Sequence, residues 1–280
     1  MAESKIAVLL ANLKMPLRDG IRAAADMQIQ GVHLVTGGET DPAALDSAGR
    51  RALLRELRDH GLEVSALVGW GGEVDLGEPG DHTAHIEDAK RCLELAVDLE
   101  CRIWTAHCGV IPIYGDDDRW HRFVDAFGRI AAHAQSIGAI LAIETGPEPP
   151  FILLRLIQEV GSPALAVNYD PANLIMWPAY LGGKRGEPYD RDAMMELFQP
   201  NTGPLVLGPH IVHTHAKDAL VRDDGSYQEV PLGQGWVDWP RYLEHLRAVG
   251  YQGYFAVERE TGDDPVGDIT RAVQFLRQVL

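Results

Sequence analysis

Four short apolar runs in this chain each finish on a side chain that can bind a metal or move a proton. Ile140-Leu141-Ala142-Ile143 closes on Glu144, and Leu165-Ala166-Val167-Asn168-Tyr169 closes on Asp170. Ile211-Val212-His213-Thr214 closes on His215, and Tyr254-Phe255-Ala256-Val257 closes on Glu258. Runs of this length with β-branched and alternating residues read as buried strands. Residues two apart in a strand share a face, so Ala142, Asn168, His213 and Ala256 lie on the same face as the four terminal groups. The opposite face carries Ile143, Val167, Val212 and Val257, suited to packing under helices. A lone polar residue at a strand end explains any one of the four. All four in consistent parity point to a common rim and a divalent-metal site. Three carboxylates and one imidazole form a hard-to-borderline donor set, which suits Mn2+ first, then Co2+ or Mg2+, with Zn2+ admissible but no thiolate-rich zinc centre in view.

These groups meet only if the strands lie side by side, and the rest of the chain supplies the frame. Strand-like segments at 6–10, 32–35, 64–68 and 102–107 precede the four above, and helical segments separate all eight. Gly61, Gly138 and Gly250 stop helices, Asp117 or Asp118 can cap the fourth, and Asp238 caps one with Pro240 in its first turn. Eight strand–helix units over 280 residues predict an α/β fold, a (β/α)8 TIM barrel, as a single domain over 1–280. A doubly wound sheet would want a phosphate-binding glycine fingerprint after the first strand, and Ala11-Asn12-Leu13-Lys14 has none. In the barrel, catalytic groups sit where strands end, which is where the four ligands fall. The rhythm loosens only at 171–209, a long rim excursion with one expected helix near 191–198, read as a lid or binding loop.

Composition narrows the partners. A formal net charge of −16 disfavours a nucleic-acid backbone, since such binders need a basic stripe. Cys92, Cys101 and Cys108 are three, without a Cys-x-x-Cys pair, which fits a reducing compartment and makes them core or surface residues, not ligands. The N-terminal residues carry no basic-then-apolar leader, and no apolar run reaches the roughly 18 residues of a membrane span, so a cytoplasmic location is expected.

Several stretches carry a family resemblance: Glu144-Thr145-Gly146, Asn168-Tyr169-Asp170-Pro171-Ala172-Asn173, His213-Thr214-His215-Ala216-Lys217-Asp218, Pro231-Leu232-Gly233-Gln234-Gly235 and Gly250 to Glu258. The chain resembles the xylose-isomerase-like barrel superfamily of sugar isomerases, epimerases and inosose dehydratases. The likeness covers the second half by motif and the first half by rhythm. It implies one divalent metal held by Glu144, Asp170, His215 and Glu258, and in the ketose 3-epimerases of this group the two glutamates also form the acid–base pair. Those epimerases carry a histidine three residues beyond the metal-binding aspartate, where this chain has Asn173, and an arginine where it has Val221 beside Arg222. The expected substrate is a small ketose or polyol, with homo-oligomer formation left open.

The chemistry expected is proton transfer through an enolate: epimerase or isomerase, with a dehydratase or a non-catalytic sugar-binding barrel as alternatives. His107 either orients a hydroxyl, acts as a third acid–base group, or simply bonds its loop. Lys217 either polarises a substrate oxygen or pairs with a carboxylate. Trp70, Trp177 and Trp236 either stack on a sugar or pack their own loops. The superfamily also holds apurinic endonucleases, which need several metals and a basic track; here His33, His82, His85 and His121 fall beside helices or at a strand start. Two glycine-rich loops, 182–186 and 233–235, are weak phosphate cradles because neither opens a helix, so an unphosphorylated substrate is expected.

Overall fold

A computed structural model describes residues 5–114 and 117–280. Eight parallel strands close into a barrel in the order β1-β10-β7-β6-β5-β4-β3-β2. The barrel strands are β1 (Lys5–Leu9), β2 (Gly31–Val35), β3 (Glu63–Gly69), β4 (Ile103–Ala106), β5 (Ile140–Glu144), β6 (Leu165–Tyr169), β7 (Ile211–Ala216) and β10 (Tyr254–Val257). The remaining two, β8 (Asp218–Val221) and β9 (Tyr227–Val230), form an antiparallel hairpin outside the barrel. The (β/α)8 expectation therefore holds, and the hairpin is an addition to it. Among the described residues no helix is long and apolar enough to cross a membrane.

The helices are α1 (Leu17–Asp26), α2 (Ser47–Asp59), α3 (Thr83–Asp98), α4 (Asp117–Ile137), α5 (Pro150–Val160), α6 (Asn173–Arg185), α7 (Arg191–Phe198), α8 (Gly203–Leu207), α9 (Trp239–Ala248) and α10 (Pro265–Val279). Their starts follow local chemistry. Asp238 accepts from the Arg241 N–H at 3.2 Å at the head of α9, with Pro240 just inside. Asp117 and Asp118 both fall in the first turn of α4, and the position before them lies outside the described residues.

The segment 171–209 is not the irregular excursion that its composition suggests. It folds as α6, α7, α8 and a short 3-10 turn, and Leu174, Ile175, Pro178 and Ala179 of α6 are buried. Pro178 and two glycines weaken that helix locally, and burial of its apolar face against α7 and the β8–β9 hairpin outweighs the loss.

Parity inside the barrel is as the alternation predicts. Glu144 is level with Asn168, Asn168 with His213, and His215 with Ala256. The layer beneath the rim is polar: Ser65, Thr105, Asn168 and His213 are all buried at the barrel centre, joined by His33. His33 is a correction. It lies in the middle of β2, fully buried, not at a strand start beside a helix.

Candidate metal centre

Glu144, Asp170, His215 and Glu258 converge at the C-terminal ends of β5, β6, β7 and β10, with one ligand atom from each within 4.8 Å of the others. All four are buried. His215 Nδ1 stands 3.0 Å from Glu258 Oε2, 3.3 Å from Glu144 Oε1 and 3.6 Å from Asp170 Oδ2.

Asp170 and His215 are each held by partners that leave one atom aimed at the centre. The first two N–H groups after Pro171, those of Ala172 and Asn173, bond Asp170 Oδ1 at 2.8 and 3.1 Å. Asp170 Oδ2 is left buried without a hydrogen-bond partner, and so is His215 Nδ1. Two orphaned atoms of this kind facing one another cost free energy unless something satisfies both. A divalent cation does so, and the donor set of three carboxylates and one imidazole fits it. Glu144 is tied down by Asn168 Nδ2 on Oε2 at 3.2 Å and by Asn173 Nδ2 on Oε1 at 2.8 Å.

The electrostatics agree. Burial pulls the His215 imidazole down, but the carboxylates of Glu258 and Glu144 outweigh it and hold the ring well above its ordinary value. Burial likewise pushes Asp170 up to about 6. Burial opposes ionisation of Glu144 and Glu258 too, yet His107 with His215 at the first, and His215 with Lys217 at the second, hold both below the usual carboxylate range. A pocket that draws a proton onto a buried imidazole is a pocket built for positive charge.

A cavity of about 360 Å3 opens above the cluster. Glu144, Glu258, His107 and Lys217 line its floor, and Trp70, Trp177, Tyr180 and Tyr227 line its walls. His107 Nε2 is 3.3 Å from Glu144 Oε1. Lys217 Nζ pairs with Glu258 at 3.1 Å and Glu260 at 2.6 Å, so the carboxylate-pairing alternative describes it. Asn173 faces the same cavity while bonding Glu144. Trp70 is 9 % exposed and fixed by its Nε1–H to Asp88 Oδ2 at 3.1 Å. Gly146 makes room for Trp177, because a Cβ there would sit 2.7 Å from the indole Cδ1.

Other expected groups lie elsewhere. Trp236 stacks under Arg191 and lines a separate cavity of about 630 Å3 between α6, α7 and the β8–β9 hairpin, which contains none of the four ligands. Arg222 lines that second cavity and donates to Gln228, away from the four-residue cluster. Burial raises the Cys92 and Cys101 thiols to about 12, and Cys108 further still, which keeps them protonated and inert.

Neither glycine-rich loop opens a helix. The 182–186 stretch ends α6, where carbonyls and not N–H groups are exposed, and Gly186 is its left-handed cap. The 233–235 loop is spent on Asp218. Its Oδ2 accepts from Gly233 N at 2.8 Å, Gly235 N at 3.2 Å and Trp239 Nε1 at 3.1 Å, while Oδ1 accepts from Ala219 N and Val237 N. A Cβ at Gly235 would lie 2.1 Å from Asp218 Oδ1.

Glu148 and Glu260 escaped the sequence reading, and His33 was misplaced by it. His33 stands 3.2 Å from His215 through Nδ1. Glu148 is 2 % exposed, behind His107 in the loop before α5. Glu260 lines the cavity through its pairing with Lys217. Parity could have flagged Glu260, two residues beyond Glu258; nothing local marks Glu148.

L-ribulose-5-phosphate 3-epimerase UlaE of Salmonella heidelberg is 26 % identical over 241 residues, covering 81 % of this chain and 76 % of the relative. A xylose isomerase domain protein from Planctomyces limnophilus superposes with a TM-score of 0.79 at 23 % identity, covering 99 % and 96 % of the two chains. The probable 3-DHS dehydratase AsbF of Bacillus anthracis superposes at 0.74 with 16 % identity, covering 98 % of each. The model of the xylose isomerase-like TIM barrel family matches residues 21–279, and the chain belongs to that family.

Proposed function

We propose that this chain is a divalent-metal-dependent sugar isomerase or epimerase that acts on an uncharged ketose, with Glu144 and Glu258 moving the proton. The observation that carries this is the pairing of two cavity-floor glutamates from separate strands, each with its own cation: His107 at Glu144 and Lys217 at Glu258. The curated relative is named for 3-epimerisation of a pentulose phosphate, a reaction of the same class.

Glu144, Asp170, His215 and Glu258 would hold the ion, with Mn2+ the expected metal. When bound it supplies a Lewis acid that lowers the cost of enolate charge on a chelated hydroxy-ketone. Glu258, kept ionised by His215 and Lys217 against its burial, takes the proton α to the carbonyl. Burial lowers the His107 imidazole, but the adjacent Glu144 raises it overall, so His107 holds a proton within reach of Glu144. Glu144 then returns a proton to the same carbon from the other side, an epimerisation, or to its neighbour, an isomerisation. Trp70, Trp177 and Tyr180 wall the cavity against water.

Substrate charge separates this chain from its phosphate-named relative. The cavity presents Glu144, Glu258 and Glu260, and the ammonium of Lys217 is already shared between two of them. A phosphate dianion would meet carboxylates here with no uncommitted cation among the described lining residues.

A dehydratase is the second reading, favoured by the His107 proton, which can pass to a departing hydroxyl. One experiment separates the two. The metal-loaded protein is incubated in deuterated water with a panel of free ketoses, their phosphates and inososes. Exchange at the α carbon of a free ketose, without loss of water, is the expected result. An enone absorbance from an inosose would replace it with the dehydratase, and no exchange on any substrate would refute both.

A further inference from the structure

The polar layer under the metal centre does more than fill the barrel. We propose that His33 is a positioning residue that accepts the Nε2–H of His215 and so fixes the tautomer in which His215 Nδ1 is free to ligate a metal. The inference rests on the four-residue metal centre proposed above.

The argument is one of donors and acceptors. To bind a cation through Nδ1, the neutral His215 ring must carry its hydrogen on Nε2, and a buried N–H needs an acceptor. Two side-chain atoms stand 3.2 Å from Nε2: Asn168 Nδ2 and His33 Nδ1. The Asn168 amide is oriented by its other neighbours. Its Nδ2 donates to Glu144 Oε2 at 3.2 Å, and its Oδ1 faces His213 Nδ1 at 2.9 Å. Turning the amide over would set Oδ1 against the Glu144 carboxylate, two acceptors face to face. Asn168 therefore shows His215 an amino group, which cannot accept, so with the Nε2–H in place their 3.2 Å approach is a contact of two donors and not a hydrogen bond. His33 Nδ1 is left as the acceptor.

The far side of His33 is arranged to match. Its Nε2 faces Thr105 Oγ1 at 3.5 Å, a hydroxyl that can accept. A neutral His33 with its hydrogen on Nε2 and its lone pair on Nδ1 satisfies both sides at once. The closeness of His33, His213 and His215 thus reflects hydrogen bonding among histidines and their neighbours, and not a second metal site.

The test compares native protein with His33→Asn, whose Oδ1 can stand where Nδ1 stood, and His33→Leu, which accepts nothing. Mn2+ affinity is measured by chelator competition, and the His33 tautomer is read from 15N shifts of histidine-labelled native protein loaded with diamagnetic Mg2+. His33→Leu should bind Mn2+ about 10–100-fold more weakly, the usual cost of losing such a partner. His33→Asn should recover most of that loss, and native His33 should show the Nε2–H tautomer. Native-like affinity in His33→Leu, or an Nδ1–H tautomer in the native ring, would overturn the assignment while leaving the metal centre intact. If His33→Leu does not fold, the Asn variant and the tautomer decide. Failure of the native chain itself to bind Mn2+ would remove the metal centre, and this role with it.

Discussion

Replacing Glu148 by glutamine should make the protein more stable, and only above mildly acidic pH. Glu148 is buried behind His107, and its Oε2 has no hydrogen-bond partner. Burial raises this carboxyl from 4.5 to about 8, against the opposing pull of His107. In the unfolded chain the group ionises near 4.5, whereas in the folded chain it keeps its proton until about pH 8. Between those values the native state binds more protons, so stability falls as pH rises and levels off above about 8. The shift at about 1.4 kcal/mol per unit gives at most about 5 kcal/mol. An amide has no such titration, and its NH2 replaces an O–H that likewise has nothing to donate to. Glu148→Gln should therefore match the native protein near pH 4.5 and exceed it by several kcal/mol at pH 8.5, on the order of 10 °C in Tm. Urea midpoints for both proteins across pH 4.5–9 provide the assay. Parallel curves, with a constant difference between the two, would show that Glu148 is ionised in the fold and refute the argument.

Three further outcomes are expected. Asp170→Asn and His215→Ala should each lose metal on purification, measured by elemental analysis; near-stoichiometric metal in both would dismantle the ligand set. Glu258→Gln and Glu144→Gln should keep much of the metal, since an amide oxygen still coordinates, yet lose turnover by two orders of magnitude or more. The two should also differ in which epimer still exchanges its α proton, followed by NMR in deuterated water, and native exchange on both epimers would shift suspicion to His107. Gly235→Ala should lower the thermal midpoint by an amount equivalent to roughly 1–3 kcal/mol, because its Cβ would collide with Asp218 Oδ1 and the Ala219 carbonyl.

What could be read from the sequence was whatever a strand's period and terminus encode. Glu144, Asp170, His215 and Glu258 each close an apolar run, and counting back by twos reaches Asn168 and His213, which do line the barrel. His33 obeys no such count, since the pairing of β2 with β3 shifts register between Val32 and His33. The helix α6 was hidden by Pro178, Gly182 and Gly183, poor helix formers kept helical by tertiary burial. The strands of the β8–β9 hairpin are four residues each, too short for alternation to stand out. Glu148 sits among Pro147, Pro149 and Pro150 between β5 and α5, where no strand or helix period marks it as buried.

The Asp218 carboxylate makes the hairpin beside the cavity a replaceable module. Five N–H donors from the root of the hairpin and the loop after it converge on this one side chain, three residues beyond His215. The tip, where Asp223 and Asp224 are exposed and Gly225 is half-buried, takes no part in that anchorage. Between root and tip, Tyr227 reaches the cavity wall. Insertions, deletions or grafts at the tip would alter the cavity of about 630 Å3 that Val221 to Gly225 line, and would reach the cavity above the four-residue cluster through Tyr227, while the root stays anchored on Asp218. Under the proposed activity, Tyr227 is the hairpin position whose replacement should change sugar preference, with Asp218, Gly233 and Gly235 held constant to keep the fold.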